Sequence, residues 1–174
     1  MVRELCIIGF GVSGIACLRW SKLYNIDAVV FEKNDKLGGV WHSISYQSTI
    51  LQSQKQSYSF SDIPMSKHTS DYPTRDEITD YLKSYCDYHD LIKNVYFNQN
   101  IESIYYNENT ELWEIDILNL KSLKTYQVKS KYLAICSGFY NKPNIPIFHN
   151  QENYKGIITH SKEFSKIGKY TIKD

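Results

Sequence analysis

The most constraining feature of this 174-residue chain is the run Gly9-Phe10-Gly11-Val12-Ser13-Gly14, because of where it stands. Residues 5–8 (Leu-Cys-Ile-Ile) form a short apolar run that ends at Gly9. After Gly11, the residues Val12, Ile15, Ala16 and Leu23 recur at helical spacing. Strand, tight turn and helix follow one another, which is the context that gives a G-x-G-x-x-G pattern its meaning. The first glycine permits the turn, the second lets backbone approach a pyrophosphate, and the third lets helix pack closely on strand. Phosphate oxygens would then meet free N–H groups at the positive end of the helix. Ala28-Val29-Val30-Phe31 reads as a central parallel strand covered on both faces. Glu32 closes it, where a carboxylate can accept hydrogen bonds from ribose hydroxyls and disfavours a 2′-phosphate. A chance glycine turn beside a surface Glu would have to satisfy all five elements of the pattern at once.

Beyond Glu32, residues 33–73 are rich in Gly, Ser, Gln and Pro without a sustained period, and read as a long functional loop carrying short pieces of structure. Thr74 with Glu77 makes a capping box before Ile78, Tyr81, Leu82 and Tyr85, predicting a helix over 75–88. From 95 to 130, β-rich segments (101–106, 112–118, 124–128) alternate with turn residues, the pattern of a β-meander. Residues 131–136 form a further apolar strand that returns to the parallel sheet and stops at Ser137-Gly138. Pro143 and Pro146 mark an extended exit.

Twenty basic and nineteen acidic residues give a net charge of +1, and they are spread along the chain, so nothing marks a nucleic-acid or anionic-membrane surface. The N-terminal apolar run breaks at Gly9, too short for a signal sequence or a span. Cys6, Cys17, Cys86 and Cys136 lack C-x-x-C spacing and read as buried free thiols, which implies a cytoplasmic, reducing location. No metal-ligand set stands out.

The segment Lys33-Asn34-Asp35-Lys36-Leu37-Gly38-Gly39-Val40-Trp41 resembles the FAD site of the flavin-containing monooxygenases, the class B flavoprotein monooxygenases. Further similar segments are Tyr46-Gln47-Ser48-Thr49, Leu51-Gln52, Tyr58-Ser59-Phe60-Ser61-Asp62-Ile63-Pro64 and Phe97-Asn98. Tyr154-Lys155-Gly156-Ile157-Ile158-Thr159-His160 with Phe164 resembles the family's identifying F-x-G-x-x-x-H-x-x-x-[YF] sequence, Tyr154 standing for Phe. His160 receives no catalytic role.

The resemblance implies an α/β fold: a Rossmann-like, FAD-binding βαβ domain with a β-meander insertion, incomplete C-terminally. Its bounds are 1–150, with 151–174 beginning a linker toward an NADPH-binding domain. It implies FAD contacts from Gly9, Phe10, Gly11, Val12, Ser13, Gly14, Glu32, Lys33, Gly39, Val40, Trp41, Ile101 (backbone, at the adenine) and Ser137. Gln52 falls where many members carry an Asn beside the flavin, so it is the one weak catalytic candidate. A solvated loop Gln is an equally good reading of it.

The implied activity is NADPH-dependent oxygenation of soft N or S atoms of small molecules, of the N,N-dimethylaniline type. In the family a second glycine motif binds NADPH. Here Gly168-Lys169 leads only to Tyr170-Thr171-Ile172-Lys173-Asp174, so a missing domain or a partner chain would have to supply that site. The alternative is a non-catalytic dinucleotide-binding module, or a truncated and inactive product.

Overall fold

The computed structural model describes residues 2–139 and 142–164. In chain order the elements are β1 (Val2–Ile8), α1 (Val12–Leu23), β2 (Ala28–Phe31), α2 (Val40–Ser43), α3 (Lys55–Tyr58), α4 (Arg75–Tyr88), β3 (Val95–Tyr96), β4 (Gln99–Asn107), β5 (Leu112–Asn119), β6 (Lys124–Ile135) and α5 (Ser161–Phe164). One six-stranded sheet has the order β3-β2-β1-β6-β5-β4. The pairs β1–β2, β1–β6 and β2–β3 are parallel, while β4–β5 and β5–β6 are antiparallel.

Alternation along the two central strands divides the core. Ile7 of β1 and Ala28 and Val30 of β2 face a cluster with Ile15 and Leu18 of α1 and Ile78, Leu82 and Tyr85 of α4. Their neighbours Cys6, Val29 and Phe31 face the opposite cluster, built with Ile115 and Ile117 of the meander. Helices, parallel strands and meander are therefore three layers. The parallel strands read as continuous apolar runs because both of their faces are covered.

Three differences from the sequence reading have physical causes. The expected separate strands at 124–128 and 131–136 are one strand, β6. Its first half pairs with β5 and its second half with β1, with Lys129 and Ser130 in register with both neighbours. A polar run at 129–131 looks like a break in sequence, yet two-sided pairing satisfies its backbone. Val95–Tyr96 belongs to the parallel sheet beside β2 instead of the meander. On α1 the fully buried face is Gly14, Ile15, Leu18 and Ser21, whereas Leu23 is exposed. Gly14 and Ser21 share that face with Ile15 and Leu18 because the helix packs closely on the sheet, and a search for apolar residues alone passes over them.

Residues 44–73 are also more tied down than a loop. An Ile50–Thr74 bridge closes their base, with Leu51 N–H on Pro73 O (2.8 Å) and Arg75 N–H on Thr49 O (2.9 Å). The Phe60 and Tyr85 rings lie 4.1 Å apart, and the Tyr81 hydroxyl donates to Ile63 O while accepting from Phe60 N–H. Lys55, nearly buried, reaches the carbonyls of Lys67 and Thr69 and lies 3.7 Å from Asp71.

The α4 capping box forms as read. Thr74 Oγ1 accepts from Glu77 N–H, and Glu77 Oε2 accepts from Thr74 N–H at 2.9 Å. Glu77 also accepts from the backbone and hydroxyl of Ser70. The backbone N–H groups of Ser70 and Thr74, then their hydroxyls, hold the Glu77 carboxyl down at about 2. A carboxyl lowered on folding stabilises the folded state above its unfolded pKa and loses that contribution as pH falls toward the folded one. Urea midpoints should therefore drop between about pH 4.5 and about pH 2. Glu77→Gln should lower the midpoint at pH 7 and flatten its dependence over that window, and Thr74→Ala should cost about 1 kcal/mol.

Candidate functional site

The site is built at the carboxyl ends of β1, β2 and β6, the place where open parallel sheets bind ligands. Gly9, at φ +95°, turns the chain from β1 toward α1. A Cβ added to Gly9 would stand 2.6 Å from Cys136 O, and one added to Gly14 would stand 2.0 Å from Gly9 O. Both glycines are thus required by the protein's own packing. Gly11 is different. It has an ordinary negative φ of −79°, and a Cβ there would meet only Gly39, at 3.6 Å, an ordinary contact. An alanine side chain would fit at 11, whereas a Cβ on Gly39 would stand 3.1 Å from Gly11 Cα, so the two glycine turns lie in close backbone contact.

The start of α1 presents hydrogen-bond donors beside these turns. Gly11 is the N-cap of α1, no side chain caps the helix, and no acidic residue stands in its first turn. The first i→i−4 bond runs from Ile15 N–H to Gly11 O (2.9 Å), leaving the N–H groups of Val12, Ser13 and Gly14 ahead of it. Opposite lies the Gly38-Gly39 turn, with φ values of +111° and +57°, drawn in by Gly38 N–H donating to Phe10 O (3.1 Å). Gly11 and Gly39 face one another, and among the described residues neither N–H has a partner. Donors converging on a groove without competing carboxylates suit a phosphate-bearing ligand.

Glu32 is only 4% exposed. Its Oε2 accepts from Phe10 N–H at 2.6 Å, and Oε1 accepts from Asn34 N–H (2.7 Å) and Asn34 Nδ2 (2.8 Å). Its own N–H donates to Tyr96 O, and its carbonyl accepts from Gln99 N–H. The carboxylate therefore ties the glycine loop to the end of β2, and its remaining lone pairs are available to hydroxyl donors. Phe10 fixes the loop from the other side, its ring wholly buried and 6.2 Å edge-on from Phe97.

The remaining sequence candidates fall at varied distances from this groove. Ser137 adjoins it, its Cα 3.4 Å from where a Gly9 Cβ would be. Val40 opens α2 beside Gly39 and is exposed, as is Lys33. The Trp41 ring lies in the core, with Nε1 donating to the Tyr58 hydroxyl at 2.6 Å. Ile101 packs at the start of β4 against the meander-side cluster. Gln52 is exposed in a bend after Leu51, and its carboxamide has no hydrogen-bond partner among the described residues. His160 lines a separate cleft of about 270 Å³ with Ser43, Ile44, Pro143, Ile145, Lys162 and Glu163. The second glycine region at 168–174 lies outside the described residues.

Sequence reasoning missed the roles of Asn34, Gly38 and the Cys136 carbonyl. Asn34 had a local signal, an Asn two residues after the acid. The Cys136 contact, made from the far end of the chain, had none.

The whole described chain matches one family, Flavin-binding monooxygenase-like, over residues 2–174. This chain belongs to that family. Among relatives, Probable flavin-containing monooxygenase 1 of Arabidopsis thaliana is 31% identical over 95% of this chain and 36% of its own length. Flavin-containing monooxygenase 1 of Homo sapiens is 25% identical over 94% of this chain and 33% of its own. The chain thus spans about a third of these curated relatives. Two solved structures share the fold: Tmm from Pelagibacter sp., with a TM-score of 0.82 at 22% identity over 92% of this chain and 42% of its own, and OTEMO complexed with FAD and NADP, with 0.77 at 22% over 92% and 30%. Among the described residues there is no group of three or more His, Cys, Asp or Glu placed to hold a metal ion, and no helix long and apolar enough to cross a membrane.

The glycines of this family member make a direct test of the geometry. Gly14→Ala should cost roughly 3 kcal/mol or more, because the clashing atom is backbone and cannot move aside. Gly11→Ala should cost no more than about 1 kcal/mol, the loss of a favoured N-cap residue without a backbone clash. Equal losses for the two variants would contradict the assignment of one glycine to packing and the other to a ligand.

Proposed function

We propose that the chain is the FAD-binding part of an NADPH-dependent flavin monooxygenase. The observation that carries this is the uncapped start of α1, free of acidic side chains and set beside the Gly38-Gly39 turn, with the Glu32 carboxylate at the end of β2. On this reading the N–H groups at the start of α1 and of Gly39 hold the pyrophosphate, and Glu32 accepts from the adenosine ribose. Lys33, Val40, Trp41, Ile101 and Ser137 contribute backbone or edge contacts. Phe10, Val12 and Ser13 shape the loop. A bound flavin supplies the redox chemistry between reduced nicotinamide, dioxygen and substrate.

The chain's own part is orientation and exclusion of water. The segment 44–73 is held by its base bridge and by Phe60 on Tyr85, and Gln52 is an exposed carboxamide on it. A carboxamide can donate to a developing negative oxygen and accept from a nicotinamide amide. The substrate class proposed is a small molecule with a soft nitrogen or sulfur, of the N,N-dimethylaniline type, in a reducing cytoplasm where four unpaired cysteines persist. Among the described residues the only strand–glycine turn–helix is the one at 2–23, so the nicotinamide site would come from a further domain or a partner chain.

The non-catalytic reading predicts nucleotide binding without turnover in any assembly, and it is separated by supplying the remaining domain in trans. Titration of the purified chain should show FAD bound more tightly than NAD. The reverse order would remove the flavin assignment and leave a generic dinucleotide fold. Gly11→Val should weaken FAD by at least about a hundredfold, roughly 2.7 kcal/mol. Glu32→Ala should cost both affinity and stability, since Phe10 N–H and Asn34 N–H lose their acceptor. Mixed alone with NADPH, the FAD-loaded chain should show no saturable flavin reduction, because hydride transfer needs the nicotinamide held within roughly 3–3.5 Å.

A further inference from the structure

The four cysteines fall into two kinds. Cys6 and Cys86 are wholly buried in the two core clusters, and burial raises both thiols, Cys86 to about 12. Cys17 and Cys136 are partly exposed and interact with one another, although they are far apart in sequence. The fold creates this meeting. Cys17 lies three residues after Gly14, on the same face of α1. Cys136 follows β6, anchored by its N–H on Ile8 O (2.8 Å), and its Cβ is 3.7 Å from where a Gly14 Cβ would be. The close approach of α1 to the sheet at Gly14 therefore sets one thiol against the other, directly behind the glycine loop.

We propose that Cys17 and Cys136 are a peroxide-responsive dithiol, closing to a disulfide that ties α1 to the end of β6. The contact between the two thiols favours a single thiolate in the pair, pushing Cys17 down and Cys136 up, so Cys17 is taken as the attacking thiol. The Cys17 thiolate attacks hydrogen peroxide, the O–O bond breaks, and a sulfenic acid forms as the departing hydroxide takes a proton to become water. Cys136 sulfur then attacks Cys17 sulfur, its thiol proton leaves with the sulfenic oxygen, and the S–O bond breaks to release a second water. Two thiols lose two electrons and two protons in all, and one peroxide becomes two waters. Cys6 and Cys86, buried and un-ionised, stay reduced. The reaction uses only these two side chains and an external peroxide, so it stands whether or not the groove binds FAD.

The test is a disulfide map of the wild-type chain, reduced, desalted, treated with equimolar hydrogen peroxide, alkylated and cut with chymotrypsin, which cleaves after Phe10 and so separates Cys6 from Cys17. The expected product is an intramolecular cross-link of the Cys17 and Cys136 peptides, lighter than their sum by two hydrogens and lost on adding reductant. Cys6 and Cys86 should remain alkylatable only after unfolding. In Cys136→Ser the same dose should instead leave Cys17 as a sulfenic acid trapped by dimedone. The proposal is overturned if Cys17 stays a free thiol in the wild type, if it passes to sulfinic acid while Cys136 remains free, or if the cross-link joins any other pair. The wild-type map decides the matter even if a variant fails to fold.

Discussion

Everything at the candidate site depends on one close backbone approach, that of Gly9, Gly14 and the Cys136 carbonyl. A side chain at Gly14 would meet Gly9 O at 2.0 Å, and one at Gly9 would meet Cys136 O at 2.6 Å. Without those two glycines, α1 could not settle on the end of β1, and β6 could not run alongside it to Ile8. Interiors pack like crystals, so a displacement of this size would not be absorbed locally. The same approach points the start of α1 into the groove and brings Cys17 to Cys136.

Glu32 fastens the glycine loop to the end of β2. Its carboxylate satisfies Phe10 N–H and Asn34 N–H in a nearly closed environment, where an unpartnered N–H is costly. The groove is therefore partly organised before any ligand arrives. Gly11 contrasts with it, for it contributes nothing to packing that alanine would disturb.

The meander closes the second face of the parallel strands through Ile115 and Ile117, which meet Cys6, Val29 and Phe31. Burying two such side chains contributes roughly 1.5–3 kcal/mol each. The other face belongs to α1 and α4, with the 44–73 segment fastened to α4 by Tyr81, Tyr85 and Glu77. Beyond β6 the chain runs out with little cover: Phe139 is 99% exposed and Ile147 94%.

Local chemistry made several elements legible. The strand, glycine turn, helix and acid over 5–32 could be read because each depends on neighbours in sequence, and the α4 cap could be read because Thr74 and Glu77 satisfy one another's backbone. Contacts between distant residues were not legible. The continuity of β6 depends on having β5 on one side and β1 on the other, and the small-residue face of α1 depends on the sheet it meets. The sequence by itself determined the strand, glycine turn and helix at the start of the chain, the acid that closes β2 and the α4 helix, since backbone conformation and capping are set within a few residues. Only the tertiary structure decided which glycine serves packing and which leaves room, that Glu32 also fastens the loop, and that Cys17 meets Cys136. Each of these is a distance between segments that only packing sets.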